Sequence, residues 1–348
     1  MGHTNTALKK QEQEVNTSPL EHLMATLGDD MKAVNETIMS EMQSDVPLIP
    51  QLAGYLIASG GKRIRPLLTL ATTRLIDTDI DQATILAATV EFIHTATLLH
   101  DDVVDESLER RGQKAANLVF GNQETVLVGD FLFSRAFQLM VRTDSIEILR
   151  ILSEASAVIA EGEVLQLQYQ GSLSIDWNTY KKIIGAKTAS LFAAACEVSG
   201  AIAKNKKVQA YLKAYGFNLG IAFQITDDTL DYDANQEELG KSLGDDFREG
   251  KITAPILFAL EQASKDEKEF WNRTLVEQDI NEGDFEKAQE LINKYDTLEQ
   301  SKDLARGYAQ KAIDAIDTLL ESETDIDVDQ ELAQTLKALP TYIISRLS

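Results

Sequence analysis

HTATLLHDDVVDESLERR, residues 94–111, is the stretch from which both the fold and the chemistry of this chain are predicted. Three aspartates, Asp101, Asp102 and Asp105, occupy positions i, i+1 and i+4 behind an apolar run. On a helix, residues i and i+4 share one face, with Cβ atoms about 5–6 Å apart. We therefore predict a helix on which Asp101 and Asp105 point the same way while Asp102 turns partly aside.

The acidic pattern returns far downstream in FQITDDTLDY, residues 223–232, as Asp227, Asp228 and Asp231. One such cluster is typical of a solvated acidic helix face. Here each cluster follows an apolar run, and acids in that setting face inward and need partners. Carboxylate oxygens suit Mg²⁺, which normally completes its shell with water and substrate phosphates. Arg110 and Arg111 follow the first cluster, and guanidinium groups match phosphate geometry. The sequence therefore predicts a site for a metal-bound diphosphate.

Composition excludes several classes of function. The chain has 348 residues, 44% of them hydrophobic and 26% charged, with a formal net charge of −23. This charge argues against a nucleic-acid partner and against stable adhesion to anionic membranes. No run of 18 apolar residues exists, so no transmembrane helix or stable membrane insertion is expected. The lone cysteine, Cys196, excludes a disulfide framework and a cysteine metal site.

The distribution of residue types predicts an all-α protein with one large domain. Six prolines fall at apparent boundaries between stretches rich in Ala, Leu, Ile and Glu, and no βαβ alternation or internal repeat is visible. Residues 1–19 form a polar N-terminal extension without the features of a signal or transit peptide, which makes the cytoplasm the expected location. The helical domain is predicted to span residues 20–348, with a first amphipathic helix over 20–44.

A basic turn, GGKRIRP at residues 60–66, precedes a predicted helix. Its spacing does not fit a Walker A loop, and no strand precedes it. Cations beside a glycine pair and a helix start favour an anion-binding site, with Lys62 and Arg65 as candidates. Glu91-x-x-His94 resembles the motif of di-iron bundles, but no second copy exists. His94 lies seven residues before Asp101, so we expect the two on one helix face.

Further polar residues stand at places where a buried site could use them. Lys187 and Thr188 lie near a predicted helix start, and a Gly- and charge-rich loop follows the second acidic cluster. Such a loop beside an active site can act as a lid, and it carries Lys241 and Lys251. The other polar residues predicted to face inward are Glu161, Gln166 and Gln224.

These motifs together resemble the all-trans polyprenyl diphosphate synthases, from about residue 20 to the C-terminus. The signatures are GGKRIRP at 60–66, DDVVDESLERRG at 101–112, VGD at 128–130, KTAS at 187–190, FQITDDTLDY at 223–232 and GKSLGDD at 240–246. The resemblance implies the isoprenoid synthase fold, a single bundle of helices around a deep central cavity. It also implies a homodimer and a prenyltransferase.

The same resemblance implies a reaction and a role for each candidate residue. Isopentenyl diphosphate condenses head-to-tail with an allylic diphosphate, farnesyl or geranylgeranyl, after Mg²⁺-assisted ionisation; three Mg²⁺ ions per site are expected. By resemblance, the residues that bind the metal are Asp101, Asp105, Asp227 and Asp231. The resemblance also implies that Arg110 contacts the allylic diphosphate and that isopentenyl diphosphate is bound by Lys62, Arg65, His94 and Arg111. It further implies that the residues over the reacting carbons are Lys187, Thr188 and Gln224, and that Lys241 and Lys251 help to neutralise the leaving group.

Product length is predicted from Ala96 and Thr97, one turn before Asp101. Family members that stop at fifteen carbons carry aromatic residues there, whereas small residues leave the cavity open. The surrounding sequence looks most like octaprenyl to decaprenyl synthases that make quinone side chains. A C40–C50 product is therefore expected, with decaprenyl favoured.

Three alternatives are compatible with parts of the pattern. A non-catalytic subunit of a heteromeric synthase typically loses one acidic cluster, whereas this chain has both. A terpene cyclase shares the metal site but typically lacks the isopentenyl diphosphate site, for which Lys62, Arg65 and Arg111 argue. A shorter-chain synthase with a C15–C20 product would need a closed cavity.

Overall fold

The computed structural model describes residues 18–58, 61–110, 112–233, 243–323 and 325–345. Helices dominate these residues, and the all-α prediction is confirmed. Two strands, β1 (Glu109–Arg110) and β2 (Gln113–Lys114), form a short antiparallel hairpin. In chain order the helices of the described part are α1 (Pro19–Thr26), α2 (Gly28–Glu41), α3 (Leu48–Ala58), α4 (Ile64–Leu75), α5 (Ile80–Val104), α6 (Ala116–Phe120), α7 (Asn122–Arg142), α8 (Ile146–Tyr169), α9 (Trp177–Ile184), the π-helix π1 (Gly185–Ala189), α10 (Ser190–Ile202), α11 (Lys206–Leu230), α12 (Asp245–Arg248), α13 (Ala254–Gln262), α14 (Lys265–Trp271), the π-helix π2 (Asn272–Val276), α15 (Asp284–Lys294), α16 (Thr297–Glu321) and α17 (Gln330–Ser345).

Two long helices, α5 and α11, carry the two acidic clusters at their C-terminal ends. Each has 25 residues, which gives a length of about 37 Å. Asp79 caps the start of α5 and Asn205 caps the start of α11, each accepting two backbone N–H groups. Asp105 and Asp231 are the C-cap residues. The ends of these two helices therefore define where the chemistry can take place.

Helix α10 occupies the centre of the bundle, which explains its composition. Every residue from Leu191 to Ala201 is buried, as expected for a helix that is apolar on all sides. It packs against α4, α5, α8 and α11. Gly216 and Gly220 of α11 permit the closest approach, because a Cβ at Gly216 would lie 2.3 Å from the carbonyl oxygen of Phe192. This contact brings the end of α11 beside π1.

Two local predictions differ from the structure. Residues 20–44 were expected to form one helix, but the helix ends at Leu27, whose φ of −104° is not helical, and α2 starts at Gly28. Lys187 and Thr188 lie inside π1 rather than at a helix start. Short π-helical segments occur frequently at functional sites, where they redirect side chains.

Helix α5 is the one described helix that is long and apolar enough to cross a membrane. Of its most apolar 18-residue window, 61% is buried inside the protein. The core helix of a compact domain meets the same criterion of length and composition, so the finding is weak evidence for a membrane span.

Candidate active site

The first acidic cluster is divided by burial. Asp102 is only 1% exposed, whereas Asp101 and Asp105 are partly exposed. The buried carboxylate is held by Arg110, whose Nε lies 2.6 Å from Asp102 Oδ1. Asp102 thus turns into the protein, as its helical position predicts, whereas Asp101 and Asp105 face the site.

The second acidic cluster shows the same division with different partners. Asp228 is 4% exposed and accepts hydrogen bonds from the Tyr180 hydroxyl at 2.6 Å and the Gln224 amide at 2.7 Å. Asp227 is exposed. Asp231 accepts the backbone N–H groups of residues 245 and 246, at 3.2 and 3.0 Å. The middle aspartate is again buried, and the last one caps the start of α12.

Lys251 connects the two clusters. Its Nζ lies 3.0 Å from Asp105 Oδ2 and also pairs with Glu249. Its backbone N–H donates to the carbonyl oxygen of Asp246 at 2.8 Å, and the N–H of Asp246 in turn binds Asp231. The segment that begins with α12 therefore joins the ends of α5 and α11, and both clusters border one site.

A cavity of about 150 Å³ opens between these elements. Its lining includes Lys187, Thr188, Gln224, Asp228 and Lys251. The Thr188 hydroxyl donates to Gln224 Oε1 at 2.6 Å, and the amide of Gln224 donates to Asp228. Residues that the sequence placed over the reacting carbons are therefore joined to the second acidic cluster by direct hydrogen bonds.

Lys187 is fixed by two residues of α8. Its Nζ lies 2.6 Å from a carboxylate oxygen of Glu163 and 3.0 Å from Gln166 Oε1. The close packing needs Gly162, where a Cβ would come within 2.6 Å of Ala186 Cβ. Gln166 faces inward as predicted, but the prediction for Glu161 is wrong because that side chain is exposed. Glu163 takes the inward position instead.

The basic turn is anchored to α5. Arg65 Nη1 lies 3.1 Å from His94 Nε2, and the guanidinium carbon of Arg65 is 4.5 Å from the centre of the Phe192 ring. Arg63 pairs with the buried carboxylate of Glu91 at 2.5 Å. Lys62 is exposed, and residue 60 lies outside the described residues. The turn is thus held against the same helix that carries the first acidic cluster.

Burial makes the acidic groups of the site hard to ionise. It raises the pKa of Asp101 to about 7, with a further contribution from Glu163, and that of Asp228 to about 7. It raises the pKa of Asp231 to about 6, and that of Asp246 well above its usual range with the help of Asp228 and Asp231. Carboxylates gathered in this way attract cations, because a cation offsets both the cost of burying the charged carboxylates and their mutual repulsion.

Burial alone would lower the pKa of Lys251, but the surrounding carboxylates of Asp246, Asp105 and Glu249 outweigh it and raise the pKa. Lys251 therefore stays protonated between the clusters. Among the described residues, no group of three or more His, Cys, Asp or Glu side chains could by itself hold a metal ion.

The remaining predicted residues are placed as follows. Ala96 is fully buried in α5, and the Thr97 hydroxyl donates to the carbonyl oxygen of His94 at 2.8 Å. Arg111 and Lys241 lie outside the described residues, so their assignments stay predictions.

Sequence reasoning missed several residues of the site. Glu163 lies three residues before Gln166, and this helical spacing would have identified it. Asp246 stands inside a motif that was recognised only for its lysine. Tyr180 gave no signal, because an aromatic residue on the apolar face of a helix is normally core. The residues missed are Glu163, Tyr180 and Asp246, and the pairing of Arg63 with Glu91 was missed as well.

Comparison with known proteins links this geometry to a family. A polyprenyl synthetase family model matches residues 46–292. The octaprenyl diphosphate synthase of Escherichia coli (strain K12) is 44% identical over 301 residues, which cover 86% of this chain and 93% of that protein.

Two crystal structures are similar over nearly their whole length. A decaprenyl diphosphate synthase from Rhodobacter capsulatus has a TM-score of 0.88 and 46% identity, covering 94% of this chain and 99% of that one. A polyprenyl synthase from Caulobacter crescentus CB15, complexed with calcium and isoprenyl diphosphate, has a TM-score of 0.88 and 48% identity, covering 96% and 99%. The isoprenoid synthase fold expected from the sequence is therefore confirmed.

Proposed function

Because the chain belongs to the polyprenyl synthetase family, we propose that it extends farnesyl or geranylgeranyl diphosphate with isopentenyl diphosphate to a C40–C50 product. It is a prenyltransferase that forms a long-chain all-trans polyprenyl diphosphate. The observation that carries the proposal is the bridge through Lys251, 3.0 Å from Asp105, which joins the acidic ends of α5 and α11 beside one cavity.

Asp101, Asp105, Asp227 and Asp231 would hold Mg²⁺, for which their all-oxygen donor set is suited. Bound Mg²⁺ would supply positive charge to the diphosphate as the allylic C–O bond ionises. Three ions per site are proposed from the resemblance to the family. Lys251 adds a positive charge on the same side of the cavity.

Residues of the cavity wall position the reacting carbons. Glu163 and Gln166 direct the Lys187 ammonium, and Gln224 orients the Thr188 hydroxyl. The allylic cation must be protected from water, which an apolar, enclosed site achieves. The double bond of isopentenyl diphosphate attacks the cation, and a proton then passes to the released diphosphate. No protein nucleophile takes part.

The second substrate is assigned to the basic turn. Arg65 and His94 are in contact, and Lys62 precedes them on the exposed side. Arg111 would complete the set of isopentenyl diphosphate ligands, and Arg110, which holds Asp102, would contact the allylic diphosphate. Two diphosphates with separate cationic partners are what a condensation requires and a cyclisation does not.

Small side chains near the first cluster support the long product. Ala96 and Thr97 precede Asp101 by about one turn, and both have small side chains. Replacing Ala96 with Phe should shift the product towards C15–C20 while condensation continues. The reverse-phase profile of the dephosphorylated products measures this, and an unchanged C40–C50 profile would exclude Ala96 as a determinant of chain length.

We propose further that the protein is a cytoplasmic homodimer without a membrane-inserted segment, and that its product becomes a quinone side chain. Large apolar side chains on α7 support the dimer, because Leu127 is 66% exposed and Val141 is 65% exposed, and exposed apolar groups favour association. Asp101, Asp102 and Glu91 on α5 oppose insertion of that helix. Light scattering after gel filtration and fractionation of cells test these points.

One incubation tests the function as a whole. The purified chain is supplied with labelled isopentenyl diphosphate, farnesyl or geranylgeranyl diphosphate and Mg²⁺, and the products are sized by chromatography. We expect a series of products whose longest members have 40–50 carbons. No product from the chain alone would support the non-catalytic subunit, and a C15–C20 end point would support the shorter-chain synthase.

A further inference from the structure

One face of α5 holds both arginines of the basic turn. Glu91 and His94, three residues apart on α5, share a face of the helix. Glu91 contacts Arg63 at 2.5 Å, and His94 contacts Arg65 at 3.1 Å. His94 in turn lies seven residues before Asp101, about 10 Å along the helix axis. The basic turn is therefore held in register with the first acidic cluster by a single rigid helix.

The backbone of the basic turn needs such support. Arg63 has φ 47° and ψ 36°, in the left-handed region that disfavours residues other than glycine. It is also the N-cap residue of α4, and its side chain makes no capping hydrogen bond. Its carbonyl oxygen accepts the first bond of that helix, from the N–H of Leu67 at 3.0 Å. A strained residue at a helix start persists only when its surroundings fix it.

The contact with Glu91 is well suited to fix it. The side chains of Arg63 and Glu91 are 17% and 8% exposed, so solvent screens their attraction only weakly. The direction of the Arg63 side chain is thereby set, and with it the direction of its neighbours. Lys62 directly precedes Arg63, and Arg65 follows it by two residues.

We propose that Glu91 is a positioning residue for the second substrate: by holding Arg63 in its left-handed conformation, it presents Lys62 and Arg65 to the diphosphate of isopentenyl diphosphate. The inference rests on the proposed function for the identity of this ligand. Glu91 itself, as a carboxylate, does not touch the ligand; it acts through the geometry of the turn.

The variant Glu91→Gln tests the proposal in the full-length chain, since it keeps the size of the side chain and removes its charge. Affinity for isopentenyl diphosphate, titrated calorimetrically without allylic substrate, should fall about tenfold, the scale seen when groups that orient a ligating residue are removed. In turnover, KM for isopentenyl diphosphate should rise by a similar factor, while KM for the allylic diphosphate stays within about twofold.

Glu197→Gln is the matched control. The Glu197 side chain is 7% exposed, close to the 8% of Glu91, and it is also paired with a cation, Lys213, at 3.1 Å, but it belongs to α10 and to neither diphosphate site. Both variants should lower the thermal midpoint, whereas only Glu91→Gln should weaken isopentenyl diphosphate binding. Arg63→Gln should match Glu91→Gln, and the double variant should be no weaker than either single one, because both remove the same contact.

The two levels of inference fail separately. If the wild-type chain binds isopentenyl diphosphate but forms no polyprenyl product, the proposed function fails, and the calorimetric comparison still decides the role of Glu91. If Glu91→Gln binds as tightly as the wild type, if it raises both KM values equally, or if the wild type does not bind isopentenyl diphosphate, the positioning role is overturned.

Discussion

The two acidic clusters have the same spacing but are stabilised in different ways. At the end of α5, side-chain cations hold the carboxylates: Arg110 pairs with Asp102 and Lys251 with Asp105. At the end of α11, neutral donors do so: Tyr180 and Gln224 bind Asp228, and backbone N–H groups of α12 bind Asp231. The same spacing thus produces one buried aspartate, Asp102, that is paired with a cation, and another, Asp228, that is held by neutral side-chain donors.

The difference has a consequence for how each cluster receives a cation. If Asp105 holds Mg²⁺ as we propose, the ion would compete with Lys251 for that carboxylate, and the 3.0 Å contact between them would have to lengthen. The two donors to Asp228, Tyr180 and Gln224, are neutral, and they orient that carboxylate without cancelling its charge. We therefore expect the α11 cluster to be the more preorganised of the two, and the α5 cluster to rearrange on binding.

The largest effect is expected when an aspartate that we propose as a metal ligand is removed from either cluster. Asp101→Asn and Asp227→Asn should each lower kcat by about 10³-fold, because each removes a charge that would hold Mg²⁺ against the leaving diphosphate. Turnover is measured over a range of Mg²⁺ concentrations. Asp303→Asn, an exposed change on α16, is the control and should be neutral. If a variant keeps more than about a tenth of the wild-type rate, the cluster that it belongs to does not form part of the metal site.

The next effect is a dependence of stability on pH that differs between the buried middle aspartates of the two clusters, Asp228 and Asp102. Burial raises the pKa of Asp228 to about 7, whereas an unfolded aspartate titrates near 4. The folded chain therefore binds the extra proton between these values, so this group makes the metal-free protein less stable as pH rises from about 4 to about 7. A loss of about 2–4 kcal/mol is expected between pH 5 and pH 8.

Urea unfolding in the presence of a chelator measures this slope. Asp228→Asn should flatten it, because an amide does not titrate. Asp102→Asn should flatten it less: burial also raises the pKa of Asp102, but the charge of Arg110 opposes that shift. The comparison would be wrong if the unfolding free energy rose from pH 5 to pH 8, or if Asp102→Asn flattened its pH dependence more than Asp228→Asn does.

A smaller effect is expected from removing a partner of each buried aspartate. Arg110→Gln leaves the charge of Asp102 uncompensated and should cost about 2–3 kcal/mol, less than for a fully buried pair because Arg110 is 32% exposed. Tyr180→Phe removes one neutral donor from Asp228 and should cost about 1–2 kcal/mol. Unfolding free energies at pH 8 decide between them, and Arg110→Lys is the control that keeps the charge. Equal losses would contradict the distinction between charge and dipole.

Sequence reasoning reached the fold and most of the site because helical periodicity fixes which side chains share a face. Asp101, Asp105 and His94 could be placed together by counting residues along α5. Arg63 and Glu91 could not be paired that way, because their contact depends on a left-handed residue that no spacing rule predicts. Tyr180 escaped for a related reason: its hydroxyl reaches Asp228 only because π1 and the glycines of α11 bring two distant helices together.

The smallest effect concerns the hydrogen bond from Thr188 to Gln224, the residue whose amide binds Asp228 of the second cluster. Thr188→Val keeps the shape of the side chain but removes the donor to Gln224 Oε1, 2.6 Å away. A neutral hydrogen bond of this kind contributes about 1 kcal/mol to stability, and turnover should fall by about three- to tenfold because the amide that orients Asp228 is no longer fixed. Thr188→Ser restores the donor and should recover both values. If valine and serine behave alike, Gln224 is oriented by Asp228 alone, and the preorganisation of the α11 cluster does not extend into the cavity wall.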